Sequence, residues 1–290
     1  MNVLIIGKNS YIGNHIDEWL SGKGHKVEQL DVLTDAWKTF NYLPYDAIEH
    51  VEGIVHRPDC KDWRLFKRVN TDMPISIATM FKSARSSKGL NGLYVYFSTM
   101  GVYGVGKSLS TSIIYEDTPL KSESMYGKSK LLAEEGLSKL QDITLQVAFV
   151  RPPSVYGKGC RGYITGFTSI VRHLPIIPRA YQNARQSFIY IDNLSECVRL
   201  IVENHLTGVF CPQDDETPTA NELFETIAAG IGKKYRDSRF LGLLMQLVGF
   251  IPLVKKAYGG IEYSRSVSDI KGYDYVVVPF REGMRRTVSK

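Results

Sequence analysis

Tyr126-Gly-Lys-Ser-Lys130 sets a phenol and an ammonium four residues apart, a spacing that puts both on one face of a helix. A free phenol keeps its proton until pH ~10, too tightly to serve as a base near neutrality. A neighbouring ammonium favours the phenolate and lowers that value. The pair can then take a proton from an alcohol while a hydride leaves the same carbon. Thr99 follows the apolar run Leu93 to Ser98, and at the carboxyl edge of a sheet its hydroxyl would hold the same substrate oxygen. The spacing alone is not selective, because Tyr103 and Lys107 share it. Gly104 and Gly106 argue against a helix there, whereas Tyr126 opens a run that continues Leu131-Leu-Ala-Glu-Glu135.

A departing hydride needs an acceptor, and the start of the chain reads as a site for one. Gly7-Lys-Asn-Ser10-Tyr-Ile-Gly13 joins the apolar run Asn2 to Ile6 to a helical one. The amides and positive dipole end of that helix would face a pyrophosphate, and the glycines allow close backbone approach. Ser10 holds the middle small position; its Cβ crowds the approach, while its hydroxyl can donate to a phosphate. Asp31 ends the second strand 18 residues after Gly13, where a carboxylate accepts from both ribose hydroxyls of NAD. A 2′-phosphate there would meet like charge. The expectation is a dinucleotide site preferring NAD over NADP.

The elements that must carry these groups alternate. Strands are expected at Asn2 to Ile6, Val27 to Val32, Ile48 to Val55, Leu93 to Ser98 and Leu145 to Arg151. Helices are expected at Ile12 to Ser21, Thr71 to Ala84 and Ser124 to Leu140. This rhythm predicts an α/β fold, a Rossmann-type doubly wound parallel sheet with a smaller C-terminal lobe. The lobe boundary is placed near residue 155, giving domains over 1–155 and 156–290, with part of 186–212 packing back on the first. Beyond it a strand is read at Ser187 to Ile191 and a helix at Leu194 to Glu203. Thr219-Ala-Asn-Glu222 has the spacing of a capping box.

The 290 residues are 43% hydrophobic and 23% charged, with a formal net charge of +6. That is globular composition, and the mild basic surplus suits an anionic small molecule at least as well as nucleic acid, which is not expected as a partner. Cys60, Cys160, Cys197 and Cys211 form no C-x-x-C pair, which argues against a disulfide scaffold or a metal site and fits a reducing, cytoplasmic setting. No run reaches membrane-spanning length. Phe240 to Val254, followed by Lys255 and Lys256, is read as a wall of the substrate pocket or a subunit contact. Contact with a membrane surface, the other reading, is not expected.

In combination these stretches resemble the extended short-chain dehydrogenases acting on nucleotide sugars, in particular those similar to UDP-galactose 4-epimerase. The likeness is carried by Gly7 to Gly13, Asp31, Asp46 to Gly53, Val69-Asn70-Thr71, Ser98 to Gly104, Tyr126 to Lys130, Arg151-Pro-Pro-Ser-Val-Tyr-Gly157 and Ser187 to Asn193. It implies that Tyr11, Ile12, Asp31, Val51, Gly53, Asn70 and Pro153 line NAD, and that Thr99, Tyr126 and Lys130 carry the hydride chemistry. The second lobe would then be substrate-binding, holding a nucleotide diphosphate. The resemblance also implies a homodimer through helices 71–84 and 124–140. Ser154 stands where the family often has Asn, and Gln186 where it has Arg, with Arg185 one place early and so on the opposite face of a strand. Lys158 and Arg161 are further candidates for the diphosphate. Glu52 replaces a usually small residue near the cofactor.

Family 4,6-dehydratases place Asp and Glu directly after the catalytic Thr; Met100 and Gly101 stand here and neither moves a proton. The favoured reading is a 4-epimerase of a UDP-hexose or UDP-N-acetylhexosamine, acting by transient oxidation at C4. The alternatives are an NAD(P)H-dependent 4-ketoreductase of a 4-keto-6-deoxy sugar nucleotide and a non-catalytic NAD-responsive binding protein.

Overall fold

The computed structural model describes residues 1–55, 62–110, 112–160 and 162–289. It divides into two compact units. Met1–Gly104, Pro119–Pro152 and Ser195–Cys211 form the first; Val105–Thr118, Pro153–Leu194 and Pro212–Lys290 form the second. Cys60 and Arg161 lie outside the described residues.

The first unit is built on six parallel strands: β1 (Asn2–Ile6), β2 (Lys26–Leu30), β3 (Ala47–His50), β4 (Gly92–Phe97), β6 (Leu145–Val150) and β10 (Gly208–Phe210), numbered along the whole chain. Their order is β10-β6-β4-β3-β1-β2. Leu4, Ile6, Ile48, Tyr94, Tyr96, Val147 and Phe149 share one face. They pack on Ile77, Ala78 and Phe81 of α3 (Met73–Ser86) and Ala133 and Leu137 of α4 (Met125–Ser138). The alternate residues Val3, Ile5, Ala47, Val95 and Ala148 are equally buried, so the sheet is covered on both faces, as a doubly wound parallel sheet must be. On that side run α1 (Tyr11–Gly22) and the part of α6 (Ile191–Glu203) from Ser195 onward, joined by Trp19 Nε1 donating to Glu196 (2.9 Å).

Chain order reverses at β1, between β2 and β3, and the crevice at such a switch point, beyond the carboxyl ends of the strands, is where open sheets bind ligands. The expected strand Ile48 to Val55 stops at His50 for a local reason. The amides of Val51 and Glu52 both turn onto the Ile6 carbonyl (3.1 and 2.9 Å), curling the chain over β1. The expected helix Thr71 to Ala84 lies within a longer helical run, formed by α2 (Trp63–Lys67), a widened turn over Arg68–Asp72 and α3. Pro74 has no N–H to give the Asn70 carbonyl, and the buried Tyr96 hydroxyl donates to it instead (2.8 Å).

The second unit carries three parallel strand pairs: β7 (Ser154–Tyr156) with β9 (Phe188–Tyr190), β8 (Ile177–Pro178) with β11 (Asp237–Ser238), and β5 (Ile113–Ile114) with β12 (Glu262–Tyr263). Its helices are α5 (Tyr163–His173), α7 (Ala220–Gly230), α8 (Arg239–Leu247), α9 (Pro252–Tyr258), α10 (Arg265–Ser268) and α11 (Phe280–Val288). The capping box at the start of α7 is present in both directions, Thr219 with the Glu222 amide and Glu222 with the Thr219 amide. Asp214 is the buried polar centre. It accepts from the Tyr156 hydroxyl (2.6 Å), the Tyr190 amide (3.0 Å) and Asn193 (2.8 Å), and burial pushes its carboxyl up to about 7.

Candidate functional site

The glycine loop leaves β1 with Gly7 at φ +123°, a conformation that side chains disfavour. A Cβ on Gly7 would stand 3.0 Å from Val51 Cγ2 and 3.1 Å from the Glu52 amide, so the loop lies directly on the exit of β3. Ser10 caps α1, its Oγ accepting from the Gly13 amide (3.1 Å). Gly13 has no room for a side chain, because a Cβ there would fall 2.5 Å from Ser10 Oγ. Tyr11 and Ile12 form the first turn, where amides lack helical acceptors and the dipole end is positive. Asp31 follows β2 directly and is exposed, with Oδ1 accepting from the Leu33 amide (2.8 Å). A cradle without Cβ atoms, a helix start and a carboxylate after the second strand fit a dinucleotide pyrophosphate and its adenosine ribose.

A second cluster lies where β3, β4 and α4 meet. Asn70 is fully buried. Its Oδ1 accepts from the Ile54 amide (2.8 Å), and its Nδ2 donates to the Ile54 carbonyl and the Ser129 hydroxyl (both 3.0 Å). Asn70 therefore ties the segment after β3 to α4. Gly53 sits against the same group, since a Cβ on it would meet Lys130 Nζ at 3.0 Å and Asn70 Oδ1 at 3.1 Å. Lys130 is buried, donates to the Phe97 carbonyl (2.8 Å) and stands 4.7 Å from the Tyr96 ring centroid. Burial lowers its ammonium to about 7, against the upward pull of Glu52 and Glu134.

Thr99 and Tyr126 form the third group. The Thr99 oxygen accepts from the Gly101 amide (3.1 Å), and the Thr99 hydroxyl is a side-chain hydrogen-bond partner of Tyr126. Sequence reasoning expects Lys130 to lower the phenol. In the protein alone burial outweighs the Thr99 hydrogen bond and pushes Tyr126 up to about 12. Behind Tyr126 the helix is anchored by a buried ion pair. Arg151 Nε and Nη2 donate to the two Glu134 oxygens (3.0 and 2.5 Å), and Nη1 donates to Tyr103 (2.9 Å). Glu52 is a further neighbour: burial raises its carboxyl, Asp31 raises it further, and the Gly53 amide and Lys130 pull it down.

Within the second unit, Pro153 leads into β7, Ser154 opens that strand half-buried, and Lys158 is exposed on the loop after it. Arg185 turns to the Thr217 carbonyl (2.7 Å) and Glu222 (3.4 Å). Gln186 is buried, and its Oε1 accepts from Lys107 (2.7 Å), whose ammonium also contacts the Tyr163 ring and hydroxyl. Burial, with help from Lys256, lowers Lys107 to about 7. Sequence reading passed over Lys107 as a chance repeat of the Tyr126–Lys130 spacing. Nothing local marked it, because its partners lie 56 and 79 residues away.

The sequence pattern of the NAD dependent epimerase/dehydratase family matches residues 3–209. The uncharacterized protein y4nL of Sinorhizobium fredii is 29% identical over 184 residues, covering 61% of this chain and 49% of that protein, so the chain spans about half the length of that relative. UDP-glucose 4-epimerase of Vibrio cholerae is 25% identical over 256 residues, covering 80% of this chain and 76% of that enzyme. Among solved structures, Thermus thermophilus UDP-glucose 4-epimerase in complex with NAD matches with a TM-score of 0.69 at 20% identity, covering 99% of this chain and 98% of that one. At that identity the likeness speaks for the fold, and the match across residues 3–209 speaks for the lineage. The chain belongs to the NAD dependent epimerase/dehydratase family.

Proposed function

We propose that the protein is a nucleotide-sugar 4-epimerase, acting on a UDP-hexose or UDP-N-acetylhexosamine by transient oxidation at C4. The observation that carries this reading is the Thr99 hydroxyl, fixed by the Gly101 amide and bonded to the Tyr126 oxygen at the end of β4. The first unit is assigned to NAD, held by Gly7, Ser10, Tyr11, Ile12, Gly13, Asp31, Val51, Gly53 and Asn70. When bound, NAD⁺ supplies a hydride acceptor and a positive charge that favours the phenolate. Tyr126 takes the proton of the sugar C4 hydroxyl and later returns it. Thr99 holds the same oxygen, and Lys130 adds positive charge from below. Asp31 Oδ1 is turned to Leu33, leaving Oδ2 to accept from the ribose.

The second unit is assigned to the nucleotide diphosphate. Where the family pattern has an arginine this chain has Gln186, and Lys107 beside it supplies the cation, with Ser154 and Lys158 as further contacts. Arg185 is assigned no phosphate, because its guanidinium is turned to Thr217 and Glu222. A homodimer through α3 and α4 and a cytoplasmic setting belong to the same reading. Met100 and Gly101 offer no group for a 4,6-dehydration.

The test is cofactor extraction followed by assay with UDP-glucose, UDP-N-acetylglucosamine and a 4-keto-6-deoxy sugar nucleotide, with and without NADH. Turnover of a UDP-hexose without added reductant is the expected result. NADH consumption with the keto sugar alone would replace the epimerase by a 4-ketoreductase. Silence on all three with NAD retained would leave an NAD-responsive binding protein.

A further inference from the structure

α8 is amphipathic in the reverse sense. Phe240, Leu243, Leu244 and Leu247 follow the i, i+3, i+4, i+7 spacing of one helix face, and they are 69, 61, 44 and 71% exposed. The inward face is held by glycine. A Cβ on Gly242 would run into the Arg179 backbone, and the Tyr181 hydroxyl donates to the Met245 carbonyl (3.1 Å). The turn that follows adds Phe250 at 79% exposure, and α9 adds Leu253 at 72% while burying Val254 and Tyr258. Six large apolar side chains thus stand outward on two short helices, a patch that folded chains seldom leave to water without a use for it.

The charges within the patch's own stretch have one sign. From Arg239 to Ile261 the chain contains Arg239, Lys255 and Lys256 and no Asp or Glu. Lys255 and Lys256 are exposed in the last turn of α9, directly after the apolar tip. A second copy of this chain would bring two such cation sets together across the apolar face. A surface carrying negative charge over an apolar layer complements both features. Helices of nine and seven residues are too short to cross a bilayer and suited to lie in its interface.

We propose that α8, the turn at 248–251 and α9 form a docking face for an anionic phospholipid surface, with Phe250 and Leu253 as the inserted tip and Lys255 and Lys256 on the headgroups. The sequence alone favoured a pocket wall or subunit contact for this stretch; the outward exposure of the apolar stripe and of Lys255 and Lys256 is what the structure adds. The inference is independent of the proposed sugar chemistry.

The experiment is cosedimentation of the full chain with phosphatidylcholine vesicles, with and without phosphatidylglycerol, alongside analytical ultracentrifugation. Expected is binding to the phosphatidylglycerol vesicles that weakens with salt and is lost in Phe250→Glu/Leu253→Glu. Lys255→Gln/Lys256→Gln should lower partitioning about thirtyfold, at roughly fivefold per lysine. Circular dichroism checks that both variants are folded. Wild-type protein left in the supernatant overturns the proposal, as does equal partitioning of the Phe250→Glu/Leu253→Glu variant. A wild-type dimer that this variant dissociates, without vesicle binding, assigns the face to a second copy instead. None of these readouts uses turnover, so failure here leaves the epimerase reading standing.

Discussion

Gly13→Ala tests the cofactor loop through a collision that can be located. The new Cβ falls 2.5 Å from Ser10 Oγ, 3.2 Å from Val51 Cγ2 and 3.3 Å from the Gly7 carbonyl. Ser10 is the easiest to move, but moving it breaks the cap bond to the Gly13 amide, at about 1 kcal/mol. The other two contacts shift by a few tenths of an ångström, adding about 1 kcal/mol at the low end of overpacking costs. Alanine's better helix propensity returns a fraction of this, so the net loss is roughly 1–2 kcal/mol. Ser10→Ala alone loses the cap, about 1 kcal/mol, and also removes the atom that collides. The cap is lost only once, so the double variant should be about 1 kcal/mol more stable than the sum of the two single losses, a coupling readable in urea melts. NAD is the second readout. At a hundredfold excess over its dissociation constant it stabilises the wild type by about 2.7 kcal/mol. That gain should vanish in Gly13→Ala, because the displaced hydroxyl and the Val51 side chain move into the cradle. Strict additivity of the two substitutions refutes the collision with Ser10, and a full NAD-induced gain in Gly13→Ala refutes the placement of the pyrophosphate on this loop.

Tyr126→Phe should lower turnover by roughly 10²–10⁴-fold while NAD stays bound, as judged by cofactor extraction. Thr99→Val removes the one hydrogen bond that lowers the phenol, so the pKa rises further and the oxidative limb of the pH–rate profile moves to higher pH. Its rate near neutrality should fall about tenfold, and an unshifted limb contradicts the assignment. Lys107→Met should raise KM for the nucleotide sugar with little change in kcat. Burial holds Lys107 at about 7, so its charge is present below that pH and lost above it; wild-type substrate affinity falls as pH rises through neutrality, and the variant's stays flat. Glu134→Gln leaves the Arg151 guanidinium buried without its counter-charge and should cost about 3–5 kcal/mol in denaturant melts.

β1, β4 and β6 were legible because they are buried on both faces and read as largely apolar runs bounded by turn residues. β10 was not, since it is three residues at the sheet edge with Val209 half exposed, too short and too mixed to stand out. The tyrosine–lysine helix and the glycine loop were legible because their chemistry needs local spacing. What local spacing cannot carry is burial and distant partners. Pro74 is visible in the sequence, but not the Tyr96 hydroxyl that takes the carbonyl it strands. The upward shift of Tyr126 comes from burial that no spacing rule encodes. Lys107 meets Gln186 only after the chain has folded, which is why a position lacking the usual arginine could not be seen to have a cation beside it.

Glu52 gains a meaning from this placement. A small residue is usual where it stands, yet here a carboxyl is held between Asp31, which raises its pKa, and Lys130, which lowers it. The effect runs both ways. Burial brings Lys130 down to about 7, and Glu52 and Glu134 are the groups that pull it back. Glu134 already answers to the Arg151 guanidinium at 2.5 Å, so much of its field at Lys130 is cancelled by that cation. Glu52 counts Lys130 itself as its cationic neighbour, and is therefore the more effective partner of the two. Its position follows from the backbone: the Val51 and Glu52 amides share the Ile6 carbonyl, and that curl carries the carboxyl off the sheet and toward the lysine. Lysine suits position 130 because its charge can be set by such a neighbour, whereas an arginine would stay cationic whatever stood beside it. The exit of β3 thus does two things at once, lying against the glycine loop and setting the charge of Lys130.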